Sequence, residues 1–315
     1  MSSQQHSVKK VAIIGECMVE LSGQLMGQMQ QGFGGDTLNT AVYLKRVAGA
    51  QAQVSYVTAM GQDSLSQAII ARWQQAGIDC QFVLRDPSRN AGLYLIENDA
   101  NGERSFHYWR NQAAAKFLLQ HADITAVLDA LQQYDLIYLS GISLAILPEA
   151  DRIKLIAFLT QAKAAGVTIA FDGNYRPRLW QSASATQAIY QQLYALCDIA
   201  LLTFDDEAAL WGDADVEAAF TRLASFNINT LVLKVGSDGC YIQPALAQRQ
   251  HIPTTKVSHV VDTTAAGDSF NAGFLAAWLA GFPLRQAADW GNQLAGQVIQ
   301  QTGAIVPTLP LSEHS

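Results

Sequence analysis

The segment richest in chemistry is Val260-Val261-Asp262-Thr263-Thr264-Ala265-Ala266-Gly267-Asp268-Ser269-Phe270. Small residues, a glycine and an aspartate open a long apolar run, the pattern of a helix N-terminus. The first turn of a helix carries N–H groups without intrahelical partners and the positive end of the backbone dipole, so it can hold anionic oxygens. An ionised Asp in that turn can accept a proton from an alcohol held beside a phosphate. Helix capping by Asp268 or Thr264 explains the same residues without any ligand.

Three further groups of residues suit a polyhydroxy ligand and a nucleotide. In Gly34-Gly35-Asp36-Thr37-Leu38-Asn39 the glycines permit close backbone approach, and Asp36 and Asn39 offer partners to hydroxyls. The same string also starts a helix at Leu38, with Asp36 or Thr37 as cap. Tyr94 and Tyr108 can wall a sugar site, or simply pack across two strands. Lys234-Val235-Gly236-Ser237-Asp238-Gly239-Cys240 closes a strand with a glycine-rich turn, and Ser-Asp-Gly is also a common turn without a ligand. The string is neither a Walker A motif nor a G-x-G-x-x-G fingerprint.

The chain around these residues has 315 residues, half of them apolar and 15% charged. That composition excludes disordered, collagenous and coiled-coil chains and allows one large α/β domain or two smaller ones. The net charge of −7, with no basic tract longer than Lys9-Lys10, argues against a nucleic-acid or anionic-membrane partner. Any anionic ligand must then be held by a few local Arg or Lys residues. Cys17, Cys80, Cys197 and Cys240 show no metal spacing, which fits free thiols in a reducing cytoplasm. The apolar, uncharged stretch at residues 269–284 is too short for a membrane span.

Apolar, β-branched runs at residues 11–15, 54–59, 136–140, 168–172, 199–203 and 230–235 read as buried strands. Residues 38–47, 65–76, 149–165, 188–196, 267–280 and 284–300 carry apolar positions at steps of three and four, as helices do. This alternation predicts a mostly parallel sheet covered by helices on both faces. Two stretches break the pattern. Residues 23–31 are polar and rich in Gln and Met, and residues 89–110 alternate around Asn98-Asp99-Ala100-Asn101-Gly102, which reads as a hairpin turn. We expect a single domain over residues 1–315, with residues 16–34 and 88–112 forming a small β-rich lid. In such folds the site lies beyond the carboxyl ends of the strands, where a lid can close over it.

Asp262-Thr263-Thr264-x-Ala266-Gly267-Asp268-Ser269-Phe270 resembles the C-terminal signature of the PfkB, or ribokinase-like, sugar kinases, and Gly34-Gly35-Asp36-x-x-Asn39-x-Ala41 resembles their sugar-binding signature. The resemblance runs from Val11 to Pro307. It implies a ribokinase-like α/β fold, ATP and Mg²⁺ as cofactors, and in-line transfer. Asp268 would act as base, with the N–H groups of Ala265, Ala266 and Gly267 on the transferring phosphoryl oxygens. It further implies that Lys234, Gly236, Ser237, Gly239, Thr264 and Gly267 contact the nucleotide, together with Asn174 at phosphate and Asn292 at adenine. Glu207 stands where the family places a Glu acting near the metal through water, although the Asn of that family string is Phe204 here. Ala265 replaces a Gly found in many relatives, and we expect it to take a negative φ while keeping its N–H in place.

The segments Gly15-Glu16-Cys17-Met18-Val19-Glu20-Leu21, Tyr108-Trp109-Arg110-Asn111, Ser140-Gly141-Ile142-Ser143-Leu144 and Asp172-Gly173-Asn174-Tyr175-Arg176-Pro177-Arg178-Leu179-Trp180 are similar to the 2-keto-3-deoxygluconate kinase branch. That similarity implies phosphorylation of the 6-hydroxyl of an acyclic sugar acid. A carboxylate in a cleft favours planar guanidinium groups, and Arg110 and Arg176 follow the lid hairpin and a strand end respectively. The substrate side would thus comprise Gly34, Gly35, Asp36, Asn39, Tyr94, Tyr108, Arg110, Arg176 and Asp268. Relatives that pair through the lid imply a homo-oligomer. Competing readings are a related kinase for fructose or another aldonic acid and a non-catalytic sugar-binding regulator. A dinucleotide oxidoreductase is opposed by the missing glycine spacing after the first strand, at Gly15-Glu16-Cys17-Met18.

Overall fold

The computed structural model describes residues 7–98, 104–245 and 247–311. The first seven strands are β1 (Lys9–Ile14), β2 (Met18–Gly23), β3 (Met29–Gly34), β4 (Ala52–Gly61), β5 (Val83–Asp86), β6 (Gly92–Asn98) and β7 (Arg104–Trp109). Six follow: β8 (Leu136–Ser140), β9 (Thr168–Asp172), β10 (Ile199–Thr203), β11 (Thr230–Lys234), β12 (Cys240–Pro244) and β13 (Gln250–Ile252). The α-helices are α1 (Asp36–Ala48), α2 (Ser64–Gln75), α3 (Ile124–Leu131), α4 (Gly141–Ala145), α5 (Glu149–Ala164), α6 (Ala183–Leu196), α7 (Phe204–Trp211), α8 (Val216–Leu223), α9 (Ala266–Leu279) and α10 (Leu284–Val298).

β1 shows why the large sheet is buried on both sides. Successive side chains point to opposite faces. Val11 and Ile13 enter one core with residues of α1, α2, α9 and α10. Ala12 and Ile14 enter the other, with residues of α5 and α6. All four positions from Val11 to Ile14 are therefore apolar, as in a parallel sheet with helices on both faces. The strand order is β13-β12-β11-β10-β9-β8-β1-β4-β5, parallel from β5 to β11, with β12 and β13 antiparallel at one edge. The chain runs from β1 outward to β4 and β5, then returns to β8 on the other side of β1. This is the switch point at which open α/β sheets form a crevice beyond their carboxyl ends.

The second sheet has four strands in the order β3-β2-β6-β7 and uses the two stretches that break the α/β pattern. β2 pairs antiparallel with β3 and parallel with β6, and β6 and β7 form a hairpin. The turn expected at Asn98-Asp99-Ala100-Asn101-Gly102 lies, from Asp99 onward, outside the described residues.

Three strands have the expected bounds (β8, β9 and β10), and the others differ by three residues or fewer at either end. Helix α6 starts at Ala183 rather than at residue 188, because the Ser182 hydroxyl caps it by accepting the Ala185 N–H at 3.1 Å. Helix α1 is capped by neither Asp36 nor Thr37: its N-cap is Gly35, without a side-chain cap, and Asp36 falls in the first turn. Helices α9 and α10 lie close together because Gly273 and Gly291 face each other's helix. A Cβ on Gly273 would come 2.7 Å from the Trp290 carbonyl oxygen. The two helix backbones therefore pack closely at this crossing, and the N-terminus of α9 lines the crevice.

Candidate active site

Helix α9 begins where the loop after β13 turns sharply. Its N-cap is Ala265, at φ 71° and ψ 15°, with no side-chain cap. The expected negative φ is therefore wrong. The Ala266 N–H closes the turn onto the Thr263 carbonyl at 3.1 Å, and the chain enters the helix through the left-handed region. An alanine there costs about 1–2 kcal/mol. The alternative of Asp268 as a cap also fails. Its Oδ2 accepts from Asn39 Nδ2 at 2.8 Å, and its backbone carbonyl accepts from the Thr40 hydroxyl at 3.2 Å. Adjacent residues of α1 thus fix Asp268 from outside its own helix, leaving its carboxylate at the cavity wall.

Two cavities meet at this helix tip. The first, about 650 Å³, is lined by Asp36, Asn39, Tyr94, Tyr108, Arg110, Asn174, Arg176 and Asp268 among others. The second, about 480 Å³, is lined by Gly236, Ser237, Gly239, Asn292 and the loop from Thr254 to Val257. Thr203, Lys234, Thr263, Ala266 and Gly267 line both. The side chain of Asp268 belongs to the first cavity alone. A group in either cavity can therefore reach the N–H groups of the same helical turn.

In the first cavity, Asn174 stands at a positive φ of 37° and donates from Nδ2 to Asp36 Oδ2 at 2.7 Å. The Asn39 Oδ1 is buried and unpaired. Tyr94 and Tyr108 are directly opposite in the β6–β7 ladder with ring centroids 6.0 Å apart, so they pack across the strands and wall the cavity at once. The Tyr94 hydroxyl donates to Glu20 Oε2. Gly34 does not line the cavity; a side chain there would strike the Tyr94 hydroxyl. Arg110 is largely buried and paired with Glu16, whereas Arg176 is 53% exposed and bound to Asp206 at 3.2 Å.

Below Asp268 lies a buried polar network. Lys234 Nζ donates to Asn271 Oδ1 at 2.9 Å and lies 3.5 Å from Asp172 Oδ1. Asn271 Nδ2 in turn donates to Asp172 Oδ2 at 2.9 Å. Burial, with the neighbouring Asp36 carboxylate, pushes Asp268 well above the ordinary carboxylate range, against the pull of the Asn39 N–H and the Lys234 charge. Burial also raises Asp36, and Asp172 adds to that rise.

A model of pfkB family carbohydrate kinases matches residues 8–311. The chain belongs to that family. It is 48% identical to the 2-dehydro-3-deoxygluconokinase of Haemophilus influenzae, over 97% of this chain and 98% of that protein. It is 47% identical to the Escherichia coli protein of the same name, over 95% and 97%. Among solved structures, Vibrio cholerae fructokinase bound to fructose, ADP and calcium superposes with a TM-score of 0.80 at 24% identity, covering 95% of each chain. Aminoimidazole riboside kinase from Salmonella enterica gives 0.79 at 22%, covering 93% of this chain and 94% of that one. The fold is thus ribokinase-like, and this pfkB protein is an ATP-dependent carbohydrate kinase.

A further site expectation is corrected. Glu207 lines neither cavity. It is fully buried in the first turn of α7, accepting from the Tyr194 hydroxyl at 2.8 Å and from Arg222 Nη2 at 2.8 Å. Burial pushes its carboxyl up to about 7 against the Arg222 charge. Its neighbours Asp205 and Asp206 face the first cavity instead. Among the described residues no group of three or more His, Cys, Asp or Glu side chains forms a metal cage. A divalent cation would thus have to bring phosphate oxygens and water as most of its ligands, which is how Mg²⁺ binds nucleotides.

Sequence reasoning overlooked Glu16, Asp172 and Asn271. Each carried a signal. Glu16 and Asp172 are charged residues at the carboxyl ends of the buried strands β1 and β9, and Asn271 lies three residues after Asp268, on the same face of α9.

Proposed function

We propose that this pfkB kinase transfers the γ-phosphoryl group of ATP to the 6-hydroxyl of 2-dehydro-3-deoxy-D-gluconate, with ATP entering as its Mg²⁺ complex. The observation that carries the reading is the shared helix tip: Asp268 faces one cavity and the first-turn N–H groups of α9 are reachable from both. The sugar acid would occupy the first cavity, its hydroxyls meeting Asp36 and Asn39, with the lid tyrosines Tyr94 and Tyr108 over it; Asn174, expected at phosphate, lines this cavity and not the second. The nucleotide would occupy the second, against Gly236, Ser237, Gly239 and Asn292. Lys234 stands between them.

In the transfer, Asp268 takes the hydroxyl proton as that oxygen attacks the γ-phosphorus, and the bond from the γ-phosphorus to the bridging oxygen breaks so that ADP leaves. The N–H groups of Ala265 and Gly267, with Thr264 beside them, stabilise charge on the moving oxygens, whereas the Ala266 N–H, expected to join them, is held by the Thr263 carbonyl. The metal supplies neutralisation of phosphate charge. Arg110 and Arg176 receive the sugar carboxylate, each charge-assisted hydrogen bond contributing about 1.5–3 kcal/mol. The four-stranded sheet acts as a lid on a single domain and excludes water, so that ATP is not spent on hydrolysis. Trp109, 61% exposed on the edge strand β7, supports pairing of two chains through that sheet. The free thiols suit a cytoplasmic setting. No described helix is long and apolar enough to cross a membrane.

The test is ADP release from ATP with 2-dehydro-3-deoxygluconate, fructose or ribose as acceptor. A kcat/KM for the sugar acid at least about 100-fold above either neutral sugar is expected, the worth of one or two carboxylate contacts. Equal or better use of fructose would select the neutral-sugar reading, and ADP release with none of the three acceptors would overturn the sugar-acid assignment.

A further inference from the structure

Glu16 lies two residues past the end of β1 and lines the first cavity, only 3% exposed. Its Oε2 accepts from Arg110 Nη2. Its Oε1 is buried and unpaired on the side of β6, where a Cβ on Gly92 would come within 3.0 Å of it. The Nε of Arg110 is likewise buried without a partner. On its other side the guanidinium carbon stands 5.8 Å from the centre of the Tyr108 ring.

A guanidinium has five N–H donors, and a carboxylate that met it edge-on would engage two of its nitrogens. Glu16 engages one. The pair is therefore under-satisfied for a purely structural ion pair, because two enclosed charges are normally held by as many hydrogen bonds as geometry allows. It does suit an arginine with a second anion still to bind. We propose that Glu16 is a positioning residue: it holds Arg110 by one nitrogen, against Tyr108, so that the guanidinium edge left open to the first cavity is presented to the sugar carboxylate. This rests on the reading that Arg110 receives that carboxylate. Glu16 also offsets the charge of Arg110, so recognition depends on the placement of planar donors more than on net charge. An arginine freed from Glu16 regains several rotamers, and binding the acid must then fix them again.

The experiment compares Glu16→Ala, Glu16→Gln, Glu16→Asp and Arg110→Ala in the full chain, varying sugar acid and ATP separately. Losing one well-placed charge-assisted hydrogen bond corresponds to about 10- to 150-fold in affinity. Glu16→Ala is expected to raise KM for the sugar acid at least about 10-fold, with kcat and the KM for ATP within about 2-fold. Glu16→Gln keeps an acceptor for Nη2 and is expected to restore KM to within about 3-fold of the original. Should the alanine variant not fold, Glu16→Asp carries the test: the charge stays, the acceptor withdraws by one methylene, and KM should rise at least about 5-fold. An unchanged sugar KM in Glu16→Ala or Glu16→Asp, or equal rises for sugar and ATP, overturns the proposal. If Arg110→Ala raises the sugar KM while the Glu16 variants do not, only the positioning role falls. If Arg110→Ala leaves it unchanged, the carboxylate reading falls and takes the role of Glu16 with it.

Discussion

Ala265→Gly isolates the backbone geometry on which the phosphate pocket depends. The residue sits at φ 71° and ψ 15°, where an L side chain crowds the following carbonyl. Alanine costs about 1–2 kcal/mol in that region, and glycine removes the cost. Glycine also widens the unfolded ensemble, which takes back about 0.4–1 kcal/mol. The balance is a stabilisation of about 0.5–1 kcal/mol, read as a rise in the urea midpoint at unchanged slope. The turn should keep its shape, because its bonds use the backbone and Ser269. The Ala266 N–H meets the Thr263 carbonyl at 3.1 Å, and the Ser269 hydroxyl meets the Ala265 carbonyl at 2.7 Å. Accordingly kcat and the KM for ATP should stay within about 2-fold, since no donor to the phosphoryl oxygens is lost. A destabilisation of similar size would refute the reasoning. That is the result a negative φ predicts, because glycine in an ordinary helical first turn only adds flexibility.

Three further outcomes depend on charge. Asp268 must be ionised to accept a proton, and burial beside Asp36 raises its pKa, so kcat/KM should fall as pH drops through a value above the usual carboxylate range of about 4. Lys234→Met removes a charge that favours the ionised form, and the acid limb of that variant should lie at higher pH; an unmoved limb would separate Lys234 from Asp268. Glu207 is raised to about 7, so its contribution to stability is complete below about 4.5 and lost as pH rises through about 7. The urea stability of the original chain should therefore decline from pH 5 to 8 relative to Glu207→Gln, by up to about 3 kcal/mol. Parallel pH profiles would show that the buried carboxyl does not titrate in the fold.

The architecture was legible because both faces of each central strand are apolar and each covering helix repeats at three and four residues. Such periodicity is local, and it located β8, β9 and β10 to the residue. Helices α7 and α8 and the strand β5 escaped because they are short and carry polar residues within them. Of the site, the parts that lie in one contiguous string were readable, such as the turn before α9 and the loop before α1. What stayed hidden depends on contacts between distant segments. Asp268 is fixed by Asn39 and Thr40, more than 220 residues earlier in the chain. Glu207 is turned inward by Arg222 and Tyr194, a choice no spacing reveals. The left-handed Ala265 breaks a local preference, and such exceptions concentrate where function demands a particular backbone.

The central claim is that one carboxylate and the amides of one helical turn act together on an alcohol and a terminal phosphate. Turnover of Asp268→Asn with 2-dehydro-3-deoxygluconate and ATP tests it most directly. A fall in kcat of about 10²–10⁴ is expected, with sugar affinity largely kept because the asparagine oxygen can still accept from Asn39. Turnover close to that of the unaltered enzyme would contradict the claim and remove Asp268 from the chemistry.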